Sequence, residues 1–277
     1  MTSFDRLFLS HVRQIYYQGG RVYSERTGVD TKALAGVTYD LYPDGGFPLL
    51  TVRKIPVALF VSEVVWMVSG KKELDFIRQF TKIWDDFADP DGTLPTAYGY
   101  RWRHHFGRDQ LLDLVEHLRE EPTSRQGVVL MWDPAGDGLR APKKKNVPCP
   151  FTWVTNIIGG KLNLHLVIRS NDMMLGNPHD LAGFALLQAM LAQELGVEVG
   201  KLTVSISHAH IYATHFPQVE ELLAREDHGH PEIVCRLPPG SFRRALAADT
   251  NLVHEIVEMF QSQYHPQKAV KKMKLAV

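Results

Sequence analysis

The segment around Cys149 carries residue types that could perform covalent catalysis. Cys149 stands between two prolines at the head of an apolar run, and the polar segment from Arg169 to Asp180 begins twenty residues later. A thiol followed by an arginine, a serine and two aspartates suggests a nucleophile with an anion-binding site and a polar specificity group. A free cysteine taken alone is more often a small buried hydrophobic residue, so the surrounding residues decide between these interpretations.

A single acid, Glu63, interrupts an otherwise almost wholly apolar segment. A buried carboxylate needs a partner or shifts its pKa, so Glu63 is either a paired structural acid or a catalytic acid–base group. Three aromatic residues, Trp84, Tyr98 and Trp102, follow along the chain. They form either a core beneath a loop, which is the commoner outcome, or a wall on which a flat heterocycle stacks.

Three arginines, Arg26, Arg125 and Arg169, lie near the ends of predicted strands or helices. Each alone is usually a solvated charge, but together they could clamp a phosphate, because the guanidinium fork matches phosphate oxygens. The run from Lys143 to Lys145 is either a solvated loop or a source of positive potential that favours the Cys149 thiolate.

His208 and His210 lie on one face of a predicted strand. Two ligands do not make a zinc site and no third ligand follows at a clear spacing, so no metal is predicted. With Cys149 and Cys235 as the two cysteines of the chain, no disulfide framework is predicted, and a cytoplasmic location fits best.

The composition is that of an ordinary globular protein. The 277 residues include 31 Lys+Arg and 31 Asp+Glu, which gives no net charge. This balance argues against a general nucleic-acid or membrane-surface binder, which usually has a basic excess. No apolar run approaches the ~18 residues of a membrane span, and the charged N-terminal segment lacks the apolar core of a signal peptide. We therefore expect neither a nucleic-acid nor a membrane partner.

Hydrophobic periodicity predicts the elements that must position these residues. Helices are predicted over residues 4–18, 56–68, 111–119 and 180–195, and strands over 33–41, 126–132, 151–158, 161–168 and 202–212. Gly159-Gly160 is a strong hairpin signal. Helices and strands are interspersed without a regular βαβ rhythm, which predicts a single α+β domain over residues 1–277, with a mixed sheet flanked by helices.

Several blocks of this sequence occur in the order and spacing of a known family. They are Glu25 to Gly28, Gly46 to Thr51, Ile83 to Asp85, Tyr98-Gly99, Ser124-Arg125, Pro148-Cys149, Arg169 to Ala182, Ala192 to Glu194 and His210 to Tyr212. The chain resembles the thymidylate synthases and their pyrimidine hydroxymethylase relatives over roughly residues 4–216. The resemblance implies a homodimer packed through its sheets, covalent attack on a pyrimidine nucleoside monophosphate, and one-carbon transfer from 5,10-methylenetetrahydrofolate.

The resemblance also implies a role for each matching residue. Cys149 would add to C6 of the pyrimidine, Glu63 would order waters and move protons, and Tyr98 would assist proton removal at C5. The phosphate would be held by Arg26, Arg169 and Ser170, with Arg125 reaching it from the partner subunit, and the sugar 3′-hydroxyl by His210 and Tyr212. The folate would contact Trp84, Asp172, Leu175 and Gly176. The terminal residues 274–277, ending in Val277, would close over the ligands.

Asp180 is the departure from the family with the clearest chemical meaning, because the synthases carry an asparagine at this position. Uracil presents an N3–H donor and an O4 acceptor, which one amide satisfies. Cytosine presents its 4-amino donor and, when activated, a protonated N3, and a carboxylate accepts both hydrogen bonds. A mispaired buried polar group costs about 1–3 kcal/mol, so Asp180 favours cytosine, as in the hydroxymethylase branch. The structural alternative is that Asp180 is only the N-cap of a helix.

Two further departures fit a side branch of the family. Gln126 replaces a second arginine of the phosphate site, and Pro150 replaces a histidine that often follows the cysteine. The loss of an arginine charge weakens the case for monophosphate recognition, unless the lysines at 143–145 compensate.

These observations predict a dCMP or CMP 5-hydroxymethylase that acts through a Cys149 adduct. The alternative is thymidylate synthase-type methylation of dUMP. A second alternative is an inactive nucleotide-binding dimer, against which the presence of Cys149, Arg169 and Glu63 speaks. The sequence does not distinguish ribose from deoxyribose, because the 3′-hydroxyl is present in both sugars.

Overall fold

The structure, a computed structural model, describes residues 1–25, 27–141 and 146–274. The predictions for Arg26, for Lys143 to Lys145 and for Val277 therefore lie outside the described residues. No described helix is long and apolar enough to cross a membrane.

The helices and strands alternate irregularly along the chain. The helices are α1 (Ser3–Gln18), α2 (Val57–Ser69), α3 (Tyr98–Tyr100), α4 (Gln110–Glu120), α5 (Gly176–Leu195), α6 (Phe216–Leu223), α7 (Ser241–Leu246) and α8 (Thr250–Gln261). The strands are β1 (Gly20–Ser24), β2 (Val29–Leu41), β3 (Gly127–Leu130), β4 (Pro150–Ile158), β5 (Lys161–Ile168), β6 (Asn171–Asp172) and β7 (Glu198–Tyr212). A π-helical segment, Arg101–His105, continues α3.

In the described part of the chain these strands form one sheet in the order β1-β2-β7-β5-β4-β3, with β6 beside β7. The β5–β7 and β6–β7 pairs are parallel and the other pairs are antiparallel. The predicted α+β fold with one mixed sheet flanked by helices is therefore confirmed.

Helices cover one face of this sheet. In β5, Leu162, Leu164, Leu166 and Ile168 are buried, whereas Lys161 and His165, at alternate positions, are exposed. α1 packs on β2, and α5 packs on β5 and β7. α2 lies against α5, α7 and α8, which explains why it is apolar around most of its circumference.

The predicted elements are confirmed, with shifts at their ends. The hairpin at Gly159-Gly160 is confirmed, because both glycines have positive φ (59° and 74°) between the paired residues Ile158 and Lys161. The helix predicted from residue 180 instead begins at Gly176, with Leu175 in the N-cap position. The alternative that Asp180 is a helix N-cap is therefore wrong, since Asp180 lies in the second turn.

Candidate active site

The start of β4 and the end of β5 bring Cys149 and Arg169 together. β4 begins at Pro150, which pairs with Ile168, the last residue of β5. Arg169 consequently lies opposite Cys149, and its backbone N–H donates to the Cys149 carbonyl at 2.9 Å. β7 runs parallel to β5 at this edge, so its final residues extend beyond the nucleophile. The half-buried Cys149 thus lies where the start of β4 meets the end of β5, beside the continuing strand β7.

The guanidinium of Arg169 is fixed beside the thiol. Its Nε donates to the Pro148 carbonyl at 2.8 Å and its Nη2 to the Val147 carbonyl at 3.0 Å. Nη2 also lies 3.8 Å from Cys149 Sγ, and the guanidinium stacks over Trp132 at 5.7 Å. A fixed positive charge at this distance stabilises negative charge on the sulfur, and the cation is also available to a bound anion.

Glu63 projects from α2 and accepts a hydrogen bond from Trp84 Nε1 at 2.8 Å. Burial raises the pKa of Glu63 to about 8, the Trp84 bond lowers it and the negative charge of Asp180 raises it further. Glu63 is thus protonated at neutral pH and can donate a proton. The sequence left open whether Glu63 is a paired structural acid or a catalytic acid–base group. In the structure Glu63 has both a hydrogen-bond partner and a raised pKa.

Tyr98 lies between α2 and the nucleophile because its neighbour is a glycine. A Cβ on Gly99 would lie 1.8 Å from the Met67 carbonyl oxygen, so only glycine lets α3 approach α2 this closely. Burial raises the pKa of Tyr98 well above its ordinary value, while a hydrogen bond from the Cys149 backbone lowers it. The phenol therefore stays protonated beside Cys149.

Asp180 in α5 accepts a hydrogen bond from Asn171 Nδ2 through its Oδ2 at 2.7 Å. Burial raises the pKa of Asp180 to about 7, and the charge of Asp172 adds to this rise, whereas the Asn171 bond lowers it. Asp180 can therefore be present as carboxylate or acid near neutral pH. Sequence reasoning missed Asn171, although an asparagine inside a polar block between two apolar segments was a signal.

Glu63, Tyr98 and Asp180 share the wall of a cavity of about 20 Å³ with His179. This volume accommodates about one water molecule. Burial, together with the positive charge of Arg53, lowers the pKa of His179 to about 4, so its ring is neutral. Its buried Nδ1 has no hydrogen-bond partner among the described residues. Sequence reasoning missed His179 as well, and its polar side chain at the start of an apolar helix was the available signal.

His210 and Tyr212 lie at the C-terminal end of β7. Their rings are 4.9 Å apart, and His208 lies 5.4 Å from His210 on the same strand face, as predicted. The His210 carbonyl accepts a hydrogen bond from Met173 N at 2.9 Å. The pair is therefore linked through the backbone to the segment that carries Asn171 and Asp180.

The residues predicted to contact the folate lie next to this segment. Asp172 Oδ1 accepts hydrogen bonds from the backbone N–H groups of Met174 and Leu175 at 2.8 and 3.3 Å, which shapes the turn into α5. Gly176 lies directly beside the Asn171–Asp180 pair. Trp84 is partly exposed and packs on Trp66 and Phe87. Their contact with a folate stays a prediction.

Trp102 differs from Trp84. It is 1% exposed and makes edge contacts with Trp153 and Phe184, so it belongs to the aromatic core. Among the described residues, no group of three or more His, Cys, Asp or Glu side chains is arranged to hold a metal ion.

Arg125 and Gln126 lie away from the Cys149 of their own chain. Both are exposed and precede Gly127, which pairs with Thr155 of β4. Thr155 is six residues from Cys149, or roughly 20 Å at about 3.3 Å per residue, and Arg125 lies beyond it. Ser170, in contrast, directly follows Arg169 and is partly exposed. Pro150 is buried as the first residue of β4, where proline is tolerated.

A protein-family model described as thymidylate synthase matches residues 6–276 of the chain. The match includes the sheet edge at Cys149, the cavity beside Glu63 and the segment from Arg169 to Asp180.

Proposed function

Because the chain belongs to the thymidylate synthase family, we propose that it is a cytidylate 5-hydroxymethylase. Family membership implies a one-carbon transferase that acts at C5 of a pyrimidine nucleotide and uses 5,10-methylenetetrahydrofolate as co-substrate. The proposal narrows the base to cytosine, as dCMP or CMP, and the product to the 5-hydroxymethyl derivative. The observation that carries it is the Asp180 carboxyl, which accepts a hydrogen bond from Asn171 at 2.7 Å.

A carboxylate at position 180 complements the activated cytosine ring. It offers acceptors to both the 4-amino group and a protonated N3, and its negative charge stabilises the cationic ring. Addition of a nucleophile at C6 then gives a neutral enamine, because the electrons of the C5–C6 double bond move towards the protonated C4–N3 unit. Burial strengthens this pairing, since it removes competing water.

The other residues at the sheet edge supply the remaining chemistry. The sulfur of Cys149 forms the bond to C6, with Arg169 stabilising the thiolate. When bound, methylenetetrahydrofolate supplies a carbon at the oxidation level of formaldehyde. Tyr98, beside Cys149, assists loss of the C5 proton, and Glu63 exchanges protons with water in the neighbouring cavity. Once C5 has bonded to this carbon and its bonds to the folate nitrogens have broken, tetrahydrofolate leaves, and water adds to the methylene group that remains on C5. Departure of the Cys149 thiolate then restores the C5–C6 double bond.

The sugar, phosphate and folate are assigned to the residues around this centre. His210 and Tyr212 bind the 3′-hydroxyl, and Arg169 and Ser170 bind the phosphate, together with Arg26. Trp84, Asp172, Leu175 and Gly176 contact the folate, over which Val277 closes. The folate assignment is supported by the partial exposure of Trp84 and by the position of Gly176 beside Asp180.

We further propose that the enzyme is a homodimer in which Arg125 and Gln126 complete the partner's phosphate site. The location of Arg125 more than roughly 20 Å from its own Cys149 supports this arrangement. The sheet face opposite the helices is open and carries exposed apolar side chains, among them Val128, Leu130 and Ile158 (47%, 47% and 67% exposed). Burial of such a face is favourable, and a second copy packed sheet to sheet would cover it.

Methylation of dUMP is the second candidate function, and the raised pKa of Asp180 is the observation that supports it. At a pKa of about 7 a large fraction of Asp180 carries a proton near neutral pH. A protonated carboxyl offers one donor and one acceptor, as the asparagine of the synthases does, and could pair with uracil.

Product analysis tests the proposal. The enzyme is incubated with methylenetetrahydrofolate and each of CMP, dCMP, UMP and dUMP, and the nucleotides are analysed by mass spectrometry while dihydrofolate is followed by absorbance. We expect a hydroxymethylated cytosine nucleotide without dihydrofolate. A methylated uracil nucleotide formed together with dihydrofolate would establish the synthase alternative instead. Tight nucleotide binding without turnover of any substrate would indicate an inactive binding dimer.

A further inference from the structure

A chain of three hydrogen bonds leads from Tyr39 of β2 to Asp180. The Tyr39 hydroxyl of β2 donates to Asn177 Oδ1 at 3.1 Å. Asn177 Nδ2 donates to Asn171 Oδ1 at 2.7 Å, and Asn171 Nδ2 donates to Asp180 Oδ2 at 2.7 Å. Tyr39, Asn171 and Asn177 are all buried, so the chain is shielded from water.

The direction of this chain is set at its beginning. Burial raises the pKa of Tyr39 well above its ordinary value, so the phenol keeps its proton and donates it to Asn177 Oδ1. An asparagine whose oxygen is occupied presents its amino group to the next acceptor, which is Asn171 Oδ1. The same reasoning then directs the amino group of Asn171 towards Asp180, because the reverse orientation would place two amino groups face to face.

A donor at Oδ2 makes the two oxygens of Asp180 different. An isolated protonated carboxyl can carry its proton on either oxygen, so its donor and acceptor positions exchange. With the amino group of Asn171 facing Oδ2, Oδ2 is the acceptor and a proton is placed on Oδ1. The carboxyl then has one defined hydrogen-bonding pattern in each protonation state: two acceptors as the carboxylate, and a donor at Oδ1 with an acceptor at Oδ2 as the acid.

We infer that Asn171 is a positioning residue for base choice: held in one amide orientation by Asn177 and Tyr39, it fixes Oδ2 of Asp180 as an acceptor. The inference rests on the proposed function, in which Asp180 faces the pyrimidine ring. Cytosine and neutral uracil present opposite donor–acceptor patterns at N3 and at the 4-substituent. A protonated carboxyl whose proton can sit on either oxygen can match either base. If one oxygen is fixed as the acceptor and the ring is held in place by its bond at C6, the carboxyl matches the donor–acceptor pattern of only one base.

The groups around Asp180 favour its protonated form, in which the position of the proton decides the base that it can match. Asp180 faces Glu63 of α2, Tyr98 of α3 and Asp172 of β6, and its neighbour in α5 is the neutral His179. Since burial and Asp172 both favour the acid form, a carboxylate alone does not guarantee discrimination near neutral pH. With the donor of Asn171 on Oδ2, the acid form keeps its acceptor at Oδ2 and its proton on Oδ1, so that it matches the pattern of only one base.

The test compares Asn171→Leu, which keeps the branching of the side chain but removes the donor, with Tyr39→Phe, which removes one hydroxyl three hydrogen bonds from Asp180. The readout is the ratio of kcat/KM for dCMP over dUMP, below and above the pH at which Asp180 titrates. We expect Asn171→Leu to lower this ratio about tenfold or more, with the larger loss at the lower pH. Tyr39→Phe should lower it in the same direction by a smaller factor.

Tyr264→Phe is the matched control, because its buried hydroxyl bonds the Leu50 carbonyl and Ile55 N in another part of the core. It should lower the melting temperature without changing the base ratio. An unchanged ratio in both Asn171→Leu and Tyr39→Phe would overturn the inference. If Asn171→Leu does not fold, the result with Tyr39→Phe decides.

A second readout does not depend on the substrate. In the unliganded protein, NMR of ¹³C-carboxyl-labelled aspartate follows the titration of Asp180, with its signal assigned by its loss in Asp180→Asn. We expect the pKa of Asp180 to rise in Asn171→Leu, because the hydrogen bond that lowers it is lost. An unchanged pKa would overturn the positioning role whatever the substrate is. A wild-type enzyme that prefers dUMP but shows the rise would overturn the proposed function and leave the Asn171 contact standing.

Discussion

The base side and the phosphate side of the candidate site are built in different ways. On the base side, Glu63 and Asp180 each have a hydrogen-bond partner from their own chain, Trp84 and Asn171. On the phosphate side, the sheet brings Arg169 to Cys149, whereas Arg125 lies at the far end of the same sheet. Under the proposed function, one chain would select the base by itself, whereas the phosphate site would need a second subunit.

The largest effect is expected where the two sides meet, at Cys149. Cys149→Ala should abolish turnover and exchange of the C5 hydrogen with solvent, because no thiolate remains to add to C6. Nucleotide binding should persist, since Arg169 stays anchored on the Pro148 and Val147 carbonyls. Calorimetry measures the binding, and tritium release from C5 measures the exchange.

Cys235→Ala is the matched control for this prediction. Burial raises the pKa of the Cys235 thiol to about 12, so it is not a nucleophile near neutral pH, and its variant should keep full activity. Normal exchange in Cys149→Ala would show that another residue attacks the ring.

Loss of the Arg125 charge should have the next largest effect, confined to the phosphate side. Arg125→Ala should lower kcat/KM by about tenfold to a hundredfold, the value of a hydrogen bond to a charged group, without changing the base ratio. When chains of the weakened Arg125→Ala variant and the inactive Cys149→Ala variant are mixed, the activity should rise above that of either variant alone, because one of the two sites in a hybrid dimer carries neither defect.

Arg108→Ala provides the control for the loss of an exposed arginine. Arg108 pairs with Asp113 at the surface, and such pairs contribute little, so activity should be retained. If subunit exchange is verified and the mixture of Arg125→Ala with Cys149→Ala is no more active than either variant alone, the phosphate site is not shared between subunits.

Sequence reasoning reached much of the fold because the apolar periodicity was clear. The hairpin at Gly159-Gly160 and the strand that ends at Tyr212 follow from local residue preferences, which the structure repeats. The start of α5 was missed, since Gly176, Asn177 and Pro178 read as a loop, and tertiary contacts of Asn177 with Tyr39 and Asn171 fix them in the helix.

The hydrogen-bond partners of the site residues were harder to predict than the site residues themselves. Residue types identified Cys149, Glu63 and Asp180, but their partners come from distant parts of the chain. Trp84 reaches Glu63 over 21 residues and Tyr39 reaches Asn177 over 138. No local pattern encodes such pairs, so the direction of the amide chain and the perturbed pKa values needed the structure.

The smallest expected effect is on stability, because ionised Glu63 destabilises the folded protein. Glu63→Gln keeps an acceptor for Trp84 but removes the ionisable group. Folding raises the pKa of Glu63 from its ordinary value of 4.5 to about 8, so wild-type stability falls as the pH rises through this window. Above pH 8 the variant should be more stable by about 2 kcal/mol, discounted because the side chain is partly exposed, and below pH 4.5 the gain should vanish.

Urea denaturation at both ends of this pH window measures the difference. The exposed Glu258 of α8 supplies the control, and Glu258→Gln should change the free energy of unfolding little at either pH. A gain for Glu63→Gln that is equal at acid and alkaline pH would contradict a buried, proton-binding Glu63.

The central claim is that Asp180 selects cytosine, and a competition between dCMP and dUMP tests it most directly. Relative kcat/KM is measured for the wild type and for Asp180→Asn, whose amide oxygen can still accept from Asn171. We expect the wild type to prefer dCMP and the variant to prefer dUMP. The ratio of kcat/KM values should change by about 2 to 5 kcal/mol, because cytosine loses a matched group and uracil gains one. A wild type that prefers dUMP, or a variant that keeps the full preference for dCMP, would contradict it.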